Sequence, residues 1–291
     1  MPKSLSNAEI ASIIVESLPY IKKFVGKTIV VKYGGNAMVN EELKQQVMED
    51  MVLLNLIGIK VVLVHGGGPE ITGLMDRLGK KPEFVDGLRV TDKETADIVE
   101  MVLAGKVNKS LVKYLDVKGG KAIGLSGVDG RLLEAKPKDE RLGYVGEITK
   151  VNIKPVVDLL DNGYIPVIST IACDRSGNTY NINGDTAAAH IAGALGAERL
   201  LLMTDIEGVL RDKDDPSSII SEIKVNEADE LKKSGIISGG MIPKVECCVE
   251  AINYGVKNVV IIDGRIPHSL LIELLTDEGA GTLFRKGDDA K

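Results

Sequence analysis

The chain has 291 residues, of which 44% are hydrophobic and 27% are charged. This length suits one large α/β domain, or two lobes that share a sheet, and the apolar fraction can fill a sizeable core. A formal net charge of -6, 3% aromatic residues and no Trp provide neither the positive charge nor the stacking surfaces that nucleic-acid binding uses. We therefore expect no nucleic-acid partner.

The cysteines and the N-terminal sequence indicate the cellular compartment of the protein. Cys173, Cys247 and Cys248 form neither a CxxC pair nor a Cys/His spacing that suits zinc, so reduced, buried thiols are expected. Near the N-terminus, apolar residues at helical spacing interrupted by acids predict an amphipathic helix and not a signal peptide. No apolar run approaches the ~20 residues that a membrane-spanning helix needs. These patterns predict a soluble, cytoplasmic protein with no membrane partner.

From Lys27 onward, short β-branched runs alternate with longer helical patterns, which is typical of βαβ units and a mainly parallel sheet. Six continuously apolar runs are predicted to be its central strands: 28–32, 61–65, 122–125, 165–169, 200–203 and 259–262. Helices are predicted over 41–57, 94–103, 186–195 and 241–254, with Gly58, Gly196 and Gly255 where C-terminal caps belong. The stretch 131–149 alternates in character and predicts a β-hairpin lying over a site.

Three glycine clusters stand where predicted strands end: YGGN at 33–36, HGGGPE at 65–70 and SGGM at 238–241. Ligands of parallel α/β sheets bind beyond the carboxyl ends of the strands, where glycine lets backbone N–H groups approach anionic oxygens. Each cluster alone is compatible with a simple tight turn, but three at strand ends favour a phosphate site. The segment GKT at 26–28 lacks P-loop spacing and HGGGPE lacks GxGxxG, so neither a P-loop nor a dinucleotide fold is indicated.

Two lysines adjoin these glycines. Lys32 lies at the end of the first predicted strand, directly before the glycines of the 33–36 cluster, and Lys244 follows the glycine-rich turn at 238–241. Both are candidate cations for a phosphate. Asp185 precedes a predicted helix, where it is either the N-cap or the carboxylate that holds the two ammonium groups.

Other polar residues point to transfer of an anionic group. Arg89 lies in a loop, where it either grips a substrate carboxylate in bidentate fashion or forms a surface ion pair. Asp205, at the end of another strand, is a candidate to orient a nucleotide, a lysine or a magnesium-bound water. His65, His190 and His268 are too dispersed for a metal cluster, and no Ser-His-Asp or Cys-His arrangement stands out. That absence suits a nucleophile that is already ionised, because a carboxylate with a pKa of about 4.3 needs no general base at neutral pH.

The chain resembles the amino acid kinase family over essentially its whole length, and within it the members that phosphorylate N-acetyl-L-glutamate. The resemblance rests on KYGGNAM at 32–38, VHGGGPEI at 64–71, GLRVTDKETADIVEMVLAGKVNK at 87–109, YNINGDTAAA at 180–189 and GGMIPKVE at 239–246. The stretch 87–109 is the most specific, since other members share the glycines and the first-strand lysine but not this run together with HGGGP. Gly184 departs from the alanine that relatives often carry, which adds backbone freedom without removing a contact group.

The resemblance implies a three-layer αβα sandwich around an open, mainly parallel sheet of about eight strands. It implies ATP as the phosphoryl donor, with Mg²⁺ carried by the nucleotide and no metal bound by the protein itself. It divides the chain into an N-terminal oligomerisation helix at 1–25, an acetylglutamate-binding lobe at 26–196 and a nucleotide-binding lobe at 197–291 that shares the same sheet.

The resemblance also implies roles for individual residues. The implied catalytic residues are Lys32, Lys244 and Asp185, with the aspartate organising the two lysines. The implied acetylglutamate ligands are Gly67, Gly68, Arg89 and Asn181. The implied nucleotide ligands are Gly34, Gly35, Thr204, Asp205, Gly239, Gly240 and Met241.

The N-terminal extension is similar to that of arginine-inhibited members, whose N-terminal helices interlace dimers into a hexameric ring. The resemblance therefore implies L-arginine as an effector and a homodimer or hexamer, and it leaves open whether a PII-type regulator binds. The expected arginine site comprises Tyr20, His268, Ser269, Glu278 and Gly281. Three alternatives stay open: a helix that only covers the sheet edge, a sibling kinase acting on aspartate, glutamate or carbamate, and a catalytically silent arginine sensor.

Overall fold

The computed structural model describes residues 5–38, 40–277 and 279–287, so Glu278 of the expected arginine site lies outside the described residues. The strands are β1 (Thr28–Tyr33), β2 (Lys60–His65), β3 (Phe84–Val85), β4 (Leu88–Arg89), β5 (Ala122–Ser126), β6 (Leu133–Pro137), β7 (Gly146–Val151), β8 (Ile165–Ser169), β9 (Ile171–Cys173), β10 (Thr179–Asn181), β11 (Arg199–Thr204), β12 (Glu222–Lys224), β13 (Asn258–Asp263) and β14 (Gly281–Arg285). The helices are α1 (Asn7–Glu16), α2 (Leu18–Phe24), α3 (Glu41–Leu56), α4 (Gly68–Arg77), α5 (Lys93–Glu100), α6 (Asn108–Val117), α7 (Lys154–Asp161), α8 (Gly184–Ala194), α9 (Ala228–Lys233), α10 (Met241–Asn253) and α11 (Ser269–Leu275).

Eight of these strands form one sheet in the order β12-β14-β13-β11-β1-β2-β8-β5. All neighbours pair in parallel except β13 and β14, which are antiparallel. The predicted α/β fold is confirmed, and all six predicted central strands lie in this sheet. The sequence did not predict the edge strand β12 or its neighbour β14, because both alternate in burial and lack a continuous apolar run.

The core lies on both faces of the sheet. Successive residues of β1 enter different hydrophobic clusters, with Val30 in one and Ile29 and Val31 in the other. The first cluster includes buried residues of α7, α8 and α10, and the second includes buried residues of α3, α4, α6 and α11. Because successive side chains of a strand point to opposite faces, helices cover the sheet on both sides, as a three-layer sandwich requires.

The predicted helices are present with small shifts in their ends. Gly58, Gly196 and Gly255, predicted as C-terminal caps, have the positive φ angles of +90°, +57° and +110° that such caps favour. The helix predicted over 94–103 ends at Glu100, and a π-helical segment, Met101–Val107, joins α5 to α6. Periodicity predicts an ordinary helix here, and the wider turns arise in a tertiary setting that sequence spacing does not encode.

The N-terminal helix predicted from the apolar spacing is two helices. Ser17 separates α1 from α2, and Pro19 stands in the first turn of α2, where its missing N–H is not needed. No residue of α1 is buried, and Ile10, Ile13 and Ile14 are exposed, whereas Phe24 at the end of α2 belongs to the core. Within the described ranges, no helix is both long enough and apolar enough to cross a lipid bilayer.

The hairpin predicted over 131–149 is confirmed. Strands β6 and β7 pair antiparallel, and β9 and β10 extend them into a second sheet in the order β10-β9-β6-β7. We call the segment between β6 and β7, residues 138–145, the flap. Its Lys138, Asp139 and Arg141 line the cavity that contains Asp185, so the hairpin lies over this cavity.

Candidate active site

Asp185 lies between the two lysines that adjoin the glycine clusters. The Lys32 Nζ atom is 2.9 Å from Asp185 Oδ1, and the Lys244 Nζ atom is 3.7 Å from Asp185 Oδ2. The three residues come from β1, the first turn of α8 and the first turn of α10, each close to the carboxyl end of the central sheet. The structure therefore brings together the three residues that the sequence singles out for catalysis.

The local structure around Asp185 decides between its two predicted roles. The N-cap of α8 is Asn183, whose side-chain oxygen accepts hydrogen bonds from the backbone N–H groups of Asp185 and Thr186. Asn183 thus caps the helix, and the Asp185 carboxylate does not have this role. It faces the two ammonium groups instead.

The electrostatics of this group follow from burial and charge. Burial is the largest influence and would raise the pKa of the Asp185 carboxyl, but the nearby Lys32 and Lys244 outweigh it and hold that pKa below its usual value. Cys247 lines the same cavity, and burial together with the Asp185 charge raises the pKa of its thiol. The thiol therefore stays protonated at neutral pH and is a poor nucleophile. The charged groups of this cluster are the ammonium groups of Lys32 and Lys244 and the Asp185 carboxylate, which holds both lysines in place.

Three cavities adjoin Asp185 and its neighbours. A cavity of about 500 Å³ contains Asp185 and Lys244 and has the flap as its opposite wall. A cavity of about 170 Å³ lies beside it, shares Asn183 with it and reaches the loop 66–68. A third, of about 360 Å³, lies at the other end of the segment 238–244, with Ser238 and Met241 in its wall. Asp185 and Lys244 thus line the 500 Å³ cavity, and Asn183 connects its wall to that of the 170 Å³ cavity.

The cavity of about 170 Å³ is lined by all the residues predicted to bind the acceptor substrate: Gly67, Gly68, Arg89 and Asn181. A Cβ atom on Gly67 would lie 2.7 Å from Leu103 Cδ2 and 3.2 Å from Val107 Cγ2, so a larger residue there would displace these two side chains. Arg89 is not a surface residue, since only 7% of it is exposed. Its Nη2 atom donates to the Gly68 carbonyl oxygen at 3.2 Å and to Thr72 Oγ1 at 2.8 Å, which ties it to the first turns of α4.

The predicted nucleotide residues are placed around the 360 Å³ cavity and the adjoining loops. Asp205 and Met241 line this cavity, and Gly240 lines the 500 Å³ cavity beside it. A Cβ atom on Gly34 would lie 2.6 Å from Lys32 Nζ, so this glycine leaves room for the lysine. Gly239 has a φ of +53° in the turn before α10. Thr204 is buried and exchanges hydrogen bonds with the backbone of Ile206, so it shapes the turn and does not line the cavity.

The structure adds residues that the motifs did not single out. Lys213 and Arg265 line the 360 Å³ cavity, and Arg265 forms a paired contact with Asp263 at the end of β13. Position at the carboxyl end of a strand is the signal that identifies Arg265, as it identified Asp205. The flap residues Lys138 and Arg141 had no comparable signal, because their place in the cavity depends on how the hairpin folds over α8.

A separate cavity of about 320 Å³ lies between α2, α11 and β14. It contains Tyr20 and Gly281 of the expected arginine site, and its walls also include Arg199, Glu273 and Asp277. His268 and Ser269 do not line it. His268 contacts Asp50, with 2.6 Å between Nδ1 and Oδ1, and Ser269 is buried as the first residue of α11. Of the four expected residues that the structure describes, it thus brings Tyr20 and Gly281 together at this cavity.

Comparison with known proteins supports one family. The profile of the amino acid kinase family matches residues 27–263. The chain belongs to the amino acid kinase family. An acetylglutamate kinase from Heliobacterium modesticaldum is 54% identical over 97% of this chain and 100% of its own length. One from Brachyspira hyodysenteriae is 53% identical over 98% of this chain and 99% of its own length. The chain is therefore an enzyme of the kinase class.

Among solved structures, the chain is similar to an N-acetylglutamate synthase from Neisseria gonorrhoeae in complex with coenzyme A and N-acetylglutamate. The TM-score is 0.81 and the identity is 27%, over 96% of this chain. The chain spans only 64% of that synthase chain. The likeness thus covers one part of a longer protein.

Proposed function

We propose that this chain transfers the terminal phosphoryl group of MgATP to the side-chain carboxylate of N-acetyl-L-glutamate. The products are N-acetyl-L-glutamyl 5-phosphate and ADP, in arginine biosynthesis. The observation that carries the proposal is the position of Asp185 between Lys32 and Lys244, with Asp185 and Lys244 in the wall of the 500 Å³ cavity that shares Asn183 with the 170 Å³ cavity. The identity of the substrate is inferred from acetylglutamate kinases that are more than 50% identical to this chain over nearly its whole length.

In the proposed mechanism, N-acetyl-L-glutamate occupies the 170 Å³ cavity, held by backbone amides of Gly67 and Gly68, by Asn181 and by Arg89. The adenine nucleotide occupies the 360 Å³ cavity, and its phosphates reach the glycine loops at 34–35 and 239–240. A carboxylate oxygen attacks the terminal phosphorus in line, while the bond to the bridging oxygen of ADP breaks. Lys32 and Lys244 stabilise the charge on the transferring group, which is the main need of a phosphoryl transfer between two anions.

Magnesium enters this reaction with the nucleotide. In the part of the chain that the structure describes, no three His, Cys, Asp or Glu residues gather as a metal-binding group. Mg²⁺ in such sites commonly takes substrate phosphates, waters and few protein carboxylates as ligands. Asp205, which lines the nucleotide cavity, is the proposed contact for a magnesium-bound water.

The order of strands in the main sheet suits a division into an acceptor lobe at 26–196 and a nucleotide lobe at 197–291. The strands β1, β2, β8 and β5 of the first lobe are neighbours in one half of the sheet, and β11, β13, β14 and β12 of the second lobe are neighbours in the other half.

We further propose feedback inhibition by L-arginine at the 320 Å³ cavity. Its walls offer carboxylates of Glu273 and Asp277 for a guanidinium group, and Tyr20 joins α2 to this site. The uncovered apolar face of α1 suits a homo-oligomer, a dimer or a hexamer built as a trimer of dimers. The family resemblance also suggests a PII-type regulator as a partner, and its binding can be tested directly.

A catalytically silent arginine sensor is the second candidate, and the likeness to an N-acetylglutamate synthase from Neisseria gonorrhoeae solved with coenzyme A and L-arginine favours it. The Lys32, Asp185 and Lys244 group argues against silence, because a pure sensor has no use for two cations at glycine loops. A sibling kinase that acts on aspartate or glutamate is disfavoured by the high identity to acetylglutamate kinases.

The test is ADP release from MgATP with N-acetyl-L-glutamate, glutamate and aspartate in separate reactions, each with and without L-arginine. Activity with only the acetylated acid is the expected result. Activity with another acid would replace the substrate, and no activity with any of the three would favour the sensor. Suppression by arginine would support the effector proposal, which is independent of the substrate.

A further inference from the structure

One buried amide joins the carboxyl ends of three neighbouring strands. Asn108, the first residue of α6, is fully buried. Its Nδ2 atom lies 3.1 Å from His65 Nε2, 3.1 Å from the Leu125 carbonyl oxygen and 2.9 Å from the Val167 carbonyl oxygen. These acceptors belong to β2, β5 and β8, and they share the two hydrogens of the amide NH2 group, so the side chain links the three strands where the acceptor cavity begins.

His65 connects this amide to the glycine loop. It is the last residue of β2, is fully buried, and has its Nδ1 atom 2.8 Å from the Gly66 carbonyl oxygen. A carbonyl oxygen only accepts, so the proton lies on Nδ1, and Nε2 accepts from Asn108. Burial lowers the pKa of His65 to about 4, so the imidazole is neutral at physiological pH and keeps this single tautomer.

The π-helical segment that precedes Asn108 holds the same loop from another side. Leu103 and Val107 stand so close to Gly67 that a Cβ atom there would collide with Leu103. On β5, a Cβ atom at Gly124 would overlap Asn108 Oδ1, so the neighbouring strand leaves space for the amide. The wider turns of the π-helix thus place Leu103, Val107 and Asn108 around one loop, in keeping with the frequent use of such segments at functional sites.

We propose that Asn108, acting through His65, is a positioning residue for the acceptor substrate. It fixes the Gly66 peptide group, and with it the backbone of Gly67 and Gly68, which line the 170 Å³ cavity. The inference rests on the proposed use of that cavity for the acceptor. The nucleotide cavity is built from the segments 205–216 and 236–241 together with Arg265, and neither Asn108 nor His65 lines it. Loss of the Asn108 amide should therefore weaken binding of the acceptor substrate and leave binding of MgATP unchanged.

The experiment compares initial rates of the full-length wild type, Asn108→Leu and Asn108→Ser, with KM determined separately for N-acetyl-L-glutamate and MgATP. We expect KM for N-acetyl-L-glutamate to rise about tenfold or more, while KM for MgATP stays within about twofold. His65→Gln serves as the conservative variant: its amide can occupy the position of Nε2 and keep the contact with Asn108. It should lose less acceptor affinity than His65→Phe, which keeps the ring shape but removes both nitrogens.

Phe284→Leu is the matched control for stability. Phe284 is fully buried on β14, near the opposite edge of the sheet from β5 and β8. It should lower the unfolding temperature while leaving both KM values unchanged. Equal changes in the two KM values of the Asn108 variants, or unchanged KM values despite a lower unfolding temperature, would overturn the inference. If the wild type proves to phosphorylate another acid, the same comparison is made with that acid, so a wrong substrate overturns the proposed function alone.

Discussion

Gly35 and Asp205 approach so closely that a Cβ atom at position 35 would collide with the Asp205 carboxylate. A Cβ atom there would lie 2.5 Å from Asp205 Oδ1, and Gly35 has a φ of +71°, which side chains other than glycine rarely adopt. Gly35→Ala should therefore displace either the loop or Asp205. We expect the kcat/KM for MgATP to fall about tenfold or more, measured by initial rates at saturating N-acetyl-L-glutamate.

Gly163→Ala is the control for this change. Gly163 also has a positive φ, +76°, but a Cβ atom there would have no heavy atom within 4 Å. This variant has the same backbone strain and no collision at the site. It should unfold at a lower temperature and keep wild-type kinetics. Equal kinetic losses in both variants would show that general strain, and not the contact with Asp205, causes the effect.

Removal of either lysine should slow phosphoryl transfer more than it weakens acceptor binding. Lys32→Ala and Lys244→Ala each leave the Asp185 carboxylate with one cation and remove one charge from the transferring group. We expect kcat to fall at least ~100-fold, with KM for N-acetyl-L-glutamate changed by less than about fivefold. Steady-state kinetics of both substrates provides the measurement.

Lys154→Ala provides the comparison for these two variants. Lys154 forms an exposed ion pair with Asp158 one helical turn away, and exposed pairs of this kind contribute little. Its kinetics should match the wild type. A loss of acceptor affinity in the Lys32 and Lys244 variants as large as their loss of kcat would contradict the assigned role.

His65 should make the protein less stable in mild acid. Burial lowers the pKa of His65 from 6.5 to about 4. Between these values the unfolded chain binds a proton that the folded chain does not, so the folded state loses stability as the pH falls from 6.5 towards 4. The loss by pH 4 should be on the order of 3 kcal/mol.

The measurement is urea unfolding of wild type and His65→Asn at several pH values between 4 and 7. The variant should lose less stability in acid than the wild type. Asp50 acts in the opposite direction, because burial raises its pKa to about 6, but its contribution is common to both proteins and cancels in the difference. Parallel pH profiles for the two proteins would refute the prediction.

Tyr20 should link the N-terminal helices to inhibition by arginine. Tyr20 lines the 320 Å³ cavity and hydrogen-bonds Asp277, which raises the pKa of the phenol. Tyr20→Ala should raise the arginine concentration for half-inhibition about tenfold, and the rate without arginine serves as the internal control. Truncation of the whole segment 1–25 is a poorer test, because it would remove Phe24 from the core. Unchanged inhibition in Tyr20→Ala would exclude Tyr20 from the effector site.

Local patterns were sufficient for six strands of the main sheet, most helix ends and the hairpin. Five of the six predicted strands are largely buried, and β5 at the sheet edge is partly buried, so their sequences are continuously apolar. Gly58, Gly196 and Gly255 mark helix ends through backbone angles that glycine favours. Local patterns failed at β12 and β14, whose burial is set by neighbouring strands. They also failed at Met101–Val107, where packing against Gly67 accompanies the wider helical turns.

The sequence by itself determined the α/β class and the family, and it contained the chemical groups for phosphoryl transfer, because strand periodicity and strand-end glycines are local features. Only the tertiary structure decided which groups meet. Lys32 and Lys244 reach one carboxylate because α8 and α10, which carry Asp185 and Lys244, pack together near β1. The choice of Asn183 as the cap of α8, the placement of the flap over Asp185 and the contact of Asn108 with His65 likewise depend on packing between distant segments. Contacts of this kind follow from the order of strands in the sheet, which no single stretch of sequence encodes.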